Sequence, residues 1–335
     1  MSNHKLKLIS YGLGPIGLEI LKRATQAPDI QVMGAVDIDP NKIGQDIGTL
    51  VSDEKMNSYV VSSIAALQNN ATDFKIAVHA TGSNLEKMWP QIKELLDHGY
   101  NVVSTCEELS YPWHRYPELS AEMDQYAKQR GLAVLGTGVN PGFIMDMMVV
   151  ALTGVTNSLT GIKVNRRVDV SKRRVPLQKK VGISMSKEEF EQLAHENQIG
   201  HVGLEESLRL IAYGLNWELE EVTNSIEPTI SEKNDRVAYS EILAGQVNGL
   251  HQVSRGTTKD GREIVLDLVM SVGVKQEDEI IIEGPEAKHL VIPGGIFGDT
   301  ATAAIALNSA KLVSLTKKTG LLTMVDAGVP RNVTL

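Results

Sequence analysis

The stretch KLKLISYGLGPIGLEILKRATQAPDIQVMGAVD, residues 5–37, decides the fold. Residues 5–11 form a short apolar run that reads as a strand. Gly12-Leu-Gly-Pro-Ile-Gly17 then makes a glycine turn, and Ile16, Ile20 and Leu21 fall on one side of a helical repeat. A second apolar run, IQVMGAV, ends at Asp37. Strand, turn, helix and strand in this order make a βαβ unit. GxGxxG alone is a weak signal, because glycine-rich turns are common. Here it follows a strand, opens a helix, and has an acid 20 residues after Gly17. Gly12 permits the tight turn, Gly14 lets a pyrophosphate approach the backbone, and Gly17 lets helix and strand pack closely. The helix opening at Pro15 and Ile16 offers N–H groups and a partial positive charge to the phosphates. Asp37 is placed to accept hydrogen bonds from ribose hydroxyls, which favours NAD. Lys42 lies close enough in sequence to meet a 2′-phosphate, so NAD and NADP both stand. The bland alternative is a glycine turn in a domain of the same fold that binds no nucleotide.

The alternation continues outward from this unit. FKIAVHATGS reads as a strand ending at Thr81-Gly82, and LEKMWPQIKELLDHG as a helix that Pro90 bends or starts late. YNVVST, ELSAEMDQYAKQRG and LAVLGTG add a strand, a helix and a strand. The expected fold class is α/β: a Rossmann doubly wound parallel sheet, followed by an α+β domain with a mostly antiparallel sheet. Ligands of such a sheet bind beyond the carboxyl ends of the strands. Thr81, Gly82, the segment Thr105–Glu108 and the segment Gly136–Asn140 all fall on that edge. Two adjacent carboxylates, Glu107 and Glu108, thus sit at the mouth of a hydrophobic layer.

The second half reads differently. Residues 142–153 are expected as a helix, GIKVNRRVDVS as a strand, and Ser186 with Glu189 as a capping box opening another helix. GLEESLRLIAYGLNW reads as a further helix, and residues 221–230, 237–257, 263–274, 278–283 and 288–292 as extended segments. Asp260-Gly261 marks a hairpin between two of them. A last helix begins near Asp299 and Thr300. The domain boundaries read as 1–141, 142–297 and 298–335, with the final segment returning to the first domain.

The bulk numbers agree. A chain of 335 residues with 42% hydrophobic and 22% charged content has a real core and room for two domains. Its net charge of -8 argues against a nucleic-acid surface. No window is long and apolar enough for a membrane span. The start MSNHKLKLISYGLG enters a strand at once and shows no signal peptide, and the single cysteine fits a reducing compartment, so a cytoplasmic protein is expected. His195 and His201 make no metal motif, and no metal is expected.

Several stretches together resemble one family. YGLGPIG, GAVDIDPNKIGQDIG, STCEEL, GTGVNPGFIMD and GDTATAA are similar to the 2,4-diaminopentanoate dehydrogenases and the related native amine dehydrogenases, whose N-terminal domain is of the dihydrodipicolinate-reductase type. The resemblance covers most of the chain and is loosest between residues 160 and 290. It implies an NAD(P)-dependent conversion of an amine to a ketone and ammonia, or the reverse. It also implies a catalytic glutamate in the CEE segment, leaving open whether Glu107 or Glu108 faces the nicotinamide. A carboxylate there would stabilise a cationic iminium and shuttle protons. Coenzyme contacts are expected from Gly12, Gly14, Pro15, Ile16, Gly17, Asp37, Thr81, Gly82, Thr105 and Asp299. Substrate contacts are expected from Asn140, Met145, Arg166 and His201, with Arg166 a candidate for a substrate carboxylate. Each has an ordinary reading: Asn140 in an Asn-Pro-Gly turn, Met145 in the core, Arg166 on the surface, His201 as a helix cap. The family commonly pairs through its second-domain sheet, which implies a homodimer. Two other classes compete. One is a C=N or C=O reductase like dihydrodipicolinate reductase or homoserine dehydrogenase, although the chain lacks the HH dipeptide usual in the former. The other is a non-catalytic nucleotide sensor.

Overall fold

The computed structural model describes residues 5–52, 54–67 and 74–334. Residues 1–4, with which the strand-first start opens, lie outside the described residues. The chain divides into two compact units, Met1–Phe143 with Phe297–Leu335, and Ile144–Ile296.

In unit 1, β1 (Leu6–Tyr11), α1 (Pro15–Gln26) and β2 (Ile30–Val36) form the predicted βαβ unit. They are followed by α2 (Ile47–Val51), β3 (Val60–Val61), β4 (Lys75–His79), α3 (Leu85–Asp97), β5 (Asn101–Ser104), α4 (Pro117–Gln129) and β6 (Ala133–Gly136). β1 pairs in parallel with both β2 and β4, and β5 lies in parallel between β4 and β6. Both faces of this sheet are covered, so β5 and β6 are buried along their whole length, with Val102-Val103 and Ala133–Leu135 as their apolar centres. Leu85, Met88, Trp89, Ile92, Leu95 and Leu96 form the buried stripe of α3 at helical spacing. That helix does not start late at Pro90. Asn84 caps it by accepting from Lys87 N at 3.1 Å, and Pro90 sits inside.

Unit 2 contains α5 (Met147–Thr153), β7 (Gly161–Asp169), α6 (Val175–Lys180), α7 (Lys187–His195) and α8 (Leu204–Gly214). Then come β8 (Leu219–Ile230), a ribbon of β9 (Asp235–Arg236) and β10 (Glu241–Ile242), and β11 (Val247–Thr258), β12 (Glu263–Ser271), β13 (Glu277–Glu283) and β14 (Lys288–Pro293). The large sheet runs β14-β13-β7-β12-β11-β8; only its β7–β12 pair is parallel, so it is mixed and mostly antiparallel. Ile264, Leu266, Leu268 and Met270 alternate onto its buried face. Helix α8 comes close to that sheet at Gly256, where a Cβ would lie 2.8 Å from Leu208 Cδ2.

Two expectations need correction here. The helix expected over 142–153 begins only at Met147, because Asp146 caps it by accepting from Met147 N at 2.6 Å and residues 141–146 form turns. The extended segment expected over 237–257 is interrupted: β10 ends at Ile242, and Gly245 and Gln246 turn back before β11 starts.

The chain then re-enters unit 1 with α9 (Gly298–Thr316), β15 (Gly320–Leu322) and α10 (Met324–Ala327). β15 extends the parallel sheet beside β6, giving the order β15-β6-β5-β4-β1-β2-β3.

Candidate functional site

The glycine loop follows from hard sterics. Gly12 has φ +89°, and a Cβ there would lie 2.5 Å from Thr81 Cγ2 and 2.8 Å from Ala80 O. A Cβ on Gly17 would lie 1.9 Å from Gly12 O, so α1 can pack this close only without one. At Gly14 a Cβ would meet nothing within 4 Å, so the loop is open on that side. Gly14 is also the N-cap of α1, with Pro15 in the first turn, and the early N–H groups of a helix have no intrahelical acceptor. An open backbone beside a helix N-terminus fits a pyrophosphate.

Asp37 directly follows β2, beside this loop. It is 9% exposed and accepts from Leu13 N at 2.5 Å and from Asp39 N at 2.8 Å. Lys42 Nζ lies 3.6 Å from Asp37 and 3.2 Å from Asp39. The lysine that the sequence offered to a 2′-phosphate is therefore held between two carboxylates.

Thr81 and Gly82 follow β4, and Thr105 follows β5 on the same edge. Thr81 Oγ1 contacts His79 Nε2 at 2.7 Å and donates to Gln91 Oε1 at 2.7 Å. The CEE segment turns immediately into a short 3₁₀ helix, Glu107–Ser110. Consecutive side chains on such a helix stand about 120° apart, so the two glutamates diverge. Glu108 is 7% exposed, and its Oε2 accepts from Leu85 N at 2.7 Å, Tyr116 OH at 2.8 Å and Asn84 Nδ2 at 3.1 Å. Arg115 approaches its other oxygen at 4.0 Å. Glu108 thus closes the N-terminus of α3, where a negative charge is favoured. Burial, then the bond to Glu108, pushes the Tyr116 phenol well above its ordinary range, so it stays a donor. Glu107 is half-buried on the rim. Cys106 is fully buried, its thiol donates to Ser83 O, and burial raises its pKa, which leaves it inert packing.

Asn140 follows β6 and precedes a cis bond to Pro141. Asp299 is the second residue of α9, in its first turn. In unit 2, Met145 is fully buried. Arg166 is no surface arginine: it is 3% exposed, with Nη1 on Asp278 Oδ1 at 2.5 Å and Nη2 donating to Ile296 O at 2.9 Å. His201 is tied through its backbone, its N–H donating to Gln252 Oε1 at 3.0 Å and its carbonyl accepting from Gln252 Nε2 at 3.1 Å. Burial first, then the charges of Lys180, Arg166 and Arg173, push its imidazole pKa down to about 3. Sequence reasoning passed over His79, Gln91, Ser104 and Tyr116. A histidine ending the apolar run KIAVH was the available signal for the first of these.

A parallel sheet with this loop after β1 and an acid directly after β2 defines a dinucleotide-binding domain of the Rossmann type. The comparisons with known proteins narrow the class. Residues 143–334 match the model of the 2,4-diaminopentanoate dehydrogenase C-terminal domain. The 2,4-diaminopentanoate dehydrogenase of Acetoanaerobium sticklandii is 30% identical over 347 residues, covering 98% of this chain and 95% of that protein. The chain belongs to the 2,4-diaminopentanoate dehydrogenase family and is an NAD(P)-dependent oxidoreductase. A 4-hydroxy-tetrahydrodipicolinate reductase of Synechocystis sp. is 36% identical, but over only 21% of this chain and 25% of the reductase. Among solved structures, an amine dehydrogenase from Mycobacterium smegmatis superposes with a TM-score of 0.87 at 23% identity, covering 98% of each chain. GenD2 from gentamicin A biosynthesis, in complex with NAD, gives 0.58 at 16% identity, covering 97% of this chain and 90% of its own. These two likenesses speak for the fold.

Proposed function

We propose that this chain catalyses reversible oxidative deamination of a small amine, 2,4-diaminopentanoate or a simple alkylamine, to a ketone and ammonia, with Glu107 as its acid/base. The observation that carries the assignment is the division of labour in the CEE segment. Glu108 is consumed by Leu85 N, Asn84 and Tyr116, while Glu107 stands on the rim where a parallel sheet receives its ligand. The family relationship supplies the reaction class. Nicotinamide, when bound, gives or takes the hydride. In the aminating direction Glu107 moves a proton from the adding ammonia to the carbinolamine oxygen, and then relays a second proton from solvent so that this oxygen leaves as water and the iminium forms. Its carboxylate then faces the iminium, a cation it stabilises by proximity.

The reading places the pyrophosphate on Gly12–Gly17 and the adenosine ribose on Asp37. It favours NAD, because a 2′-phosphate would meet Asp37 and Asp39 with Lys42 already held between them. Thr81, Gly82 and Thr105 form the rim towards the nicotinamide, and Asn140 is kept as an amide contact. Arg166 is removed from the substrate set, since its guanidinium is committed to Asp278 and Ile296. A cytoplasmic homodimer completes the reading, and light scattering that returned a monomer would remove the dimer from it.

The test is oxidation of NADH and NADPH with a panel of small ketones and 2-amino-4-oxopentanoate, with and without ammonium. Oxidation that requires ammonium is the expected result, and ammonium-independent oxidation would point to a C=O or C=N reductase. Glu107→Gln should lower kcat on the order of 10²–10⁴-fold with the fold intact, the range of a lost acid/base. Equal turnover in wild type and Glu107→Gln would refute the assignment.

A further inference from the structure

We propose that His79 is a positioning residue whose neutral ring ties the Thr81–Gly82 loop to the end of β5 at Ser104, where the CEE segment begins, setting the spacing of the two rim segments. The inference rests on the reading that this rim receives the nicotinamide end of the coenzyme. His79 is the last residue of β4, and its neighbours in register are Tyr11 on β1 and Ser104 on β5. The side chain is fully buried. Nδ1 lies 2.8 Å from Ser104 Oγ, and Nε2 lies 2.9 Å from Gln91 Oε1 and 2.7 Å from Thr81 Oγ1. Ser104 Oγ in turn accepts from Cys106 N at 3.1 Å.

One set of proton positions satisfies all of these contacts. Cys106 N–H donates to Ser104 Oγ, whose own proton goes to Nδ1. The ring is then the Nε2–H tautomer, which donates towards Gln91 Oε1 and Thr81 Oγ1, while the Thr81 hydroxyl donates to Gln91 Oε1. The donors run from Cys106 across the ring to Thr81 and Gln91, and the Thr81 hydroxyl closes on Gln91 Oε1 of α3. Burial favours this neutral form, pushing the imidazole pKa down to about 4 against a smaller opposite effect from Gln91. A ring kept neutral and sealed under the rim takes no proton from substrate. Its consequence is geometric: a shift of either segment breaks a bond whose partner is buried.

The test uses the full chain and amide NMR. Ser104→Ala removes the donor to Nδ1 at the end of β5. It should move the amide signals of Thr81 and Gly82 across the ring, and the wild-type ring nitrogens should show the Nε2–H pattern. In a His79→Leu background the same Ser104→Ala change should leave Thr81 and Gly82 unmoved. Kinetically, His79→Leu should lower kcat about tenfold to a hundredfold, as for a small misplacement of reacting groups, with the KM for coenzyme changed less than about threefold. Should His79→Leu fail to fold, Thr81→Val and Ser104→Ala replace it: their fold-changes in kcat should not multiply when combined. Thr81 and Gly82 amides unmoved by Ser104→Ala, an Nδ1–H ring, or independent multiplication of the two effects would each overturn the proposal. A chain that turned over no amine would sink the functional reading, and the NMR result would still decide the relay.

Discussion

Acidification should destabilise unit 1 through His79 in a narrow window. The ring is met by Tyr11, Thr81, Ser104 and Gln91, all uncharged at neutral pH, so its pKa falls to about 4 from the ordinary 6.5, chiefly through burial. A histidine depressed in the folded state binds its proton more readily when unfolded. The stability it contributes is therefore fully present above about pH 6.5 and is lost as pH falls towards 4. At about 1.4 kcal/mol per pKa unit the loss is about 2 kcal/mol by pH 5 and about 3 kcal/mol by pH 4. The assay is urea unfolding at several pH values in a Trp217→Phe background, so that emission comes from Trp89 and Trp113 in unit 1. His79→Gln, which cannot titrate, is the comparator. Wild type should lose stability relative to that variant between pH 7 and pH 4. Parallel pH dependences of the two would show that the ring is not held neutral, and the reasoning from burial would fail.

Other outcomes follow from single contacts. Asp278→Asn leaves the buried Arg166 guanidinium without its countercharge and should cost unit 2 about 3–5 kcal/mol in urea unfolding, whereas replacing both residues by apolar ones should cost much less. Gly14→Ala should fold normally, since nothing lies within 4 Å of the new Cβ, but should weaken coenzyme binding about tenfold, or 1.4 kcal/mol, by titration calorimetry. Gly17→Ala, with its Cβ 1.9 Å from Gly12 O, should instead lower the melting temperature. Asp37→Ser should move the NADPH-to-NADH ratio of kcat/KM towards NADPH by about tenfold or more, a shift of 1.4 kcal/mol, by freeing Lys42 for a phosphate. An unchanged ratio would show that Lys42 plays no part in the choice.

The parallel half was legible because its strands are largely apolar and α3 and α4 run out at Gly99 and Gly131, so those boundaries are marked twice. β15 was not legible: three residues, Gly320–Leu322, carry no periodicity, and only the open edge of β6 makes them a strand. The start of α5 was displaced because an aspartate cap at 146 looks like any other polar residue until its Oδ1 meets Met147 N. Arg166 is the instructive miss. Ile162, Val164 and Val168 alternate onto the buried face of β7, and residue 166 falls in the same series. Asp278 falls in the corresponding series with Ile280 and Ile282 on β13, directly opposite Arg166 in register. Period two therefore placed the arginine inside. What the sequence could not supply was the strand pairing that brings a carboxylate to it.

The same distinction applies to the two carboxylates at the mouth of the hydrophobic layer. Their types and position were readable, but their roles were not, because roles depend on which way a 3₁₀ turn points them. Glu108 is turned inward to Leu85 N, Asn84 and Tyr116, so it ties the rim to the first turn of α3 and to the start of α4. Its neutralisation weakens bonds to a buried charged acceptor, worth about 1.5–3 kcal/mol, and should appear in Glu108→Gln as lost stability. On the proposed assignment Glu108 affects turnover through the 3₁₀ turn it shares with Glu107. Any fall in kcat for Glu108→Gln should therefore be smaller than for Glu107→Gln and accompanied by a lower melting temperature, while Glu107→Gln loses kcat alone. The reverse pattern, with Glu108→Gln inactive at full stability, would exchange the two assignments.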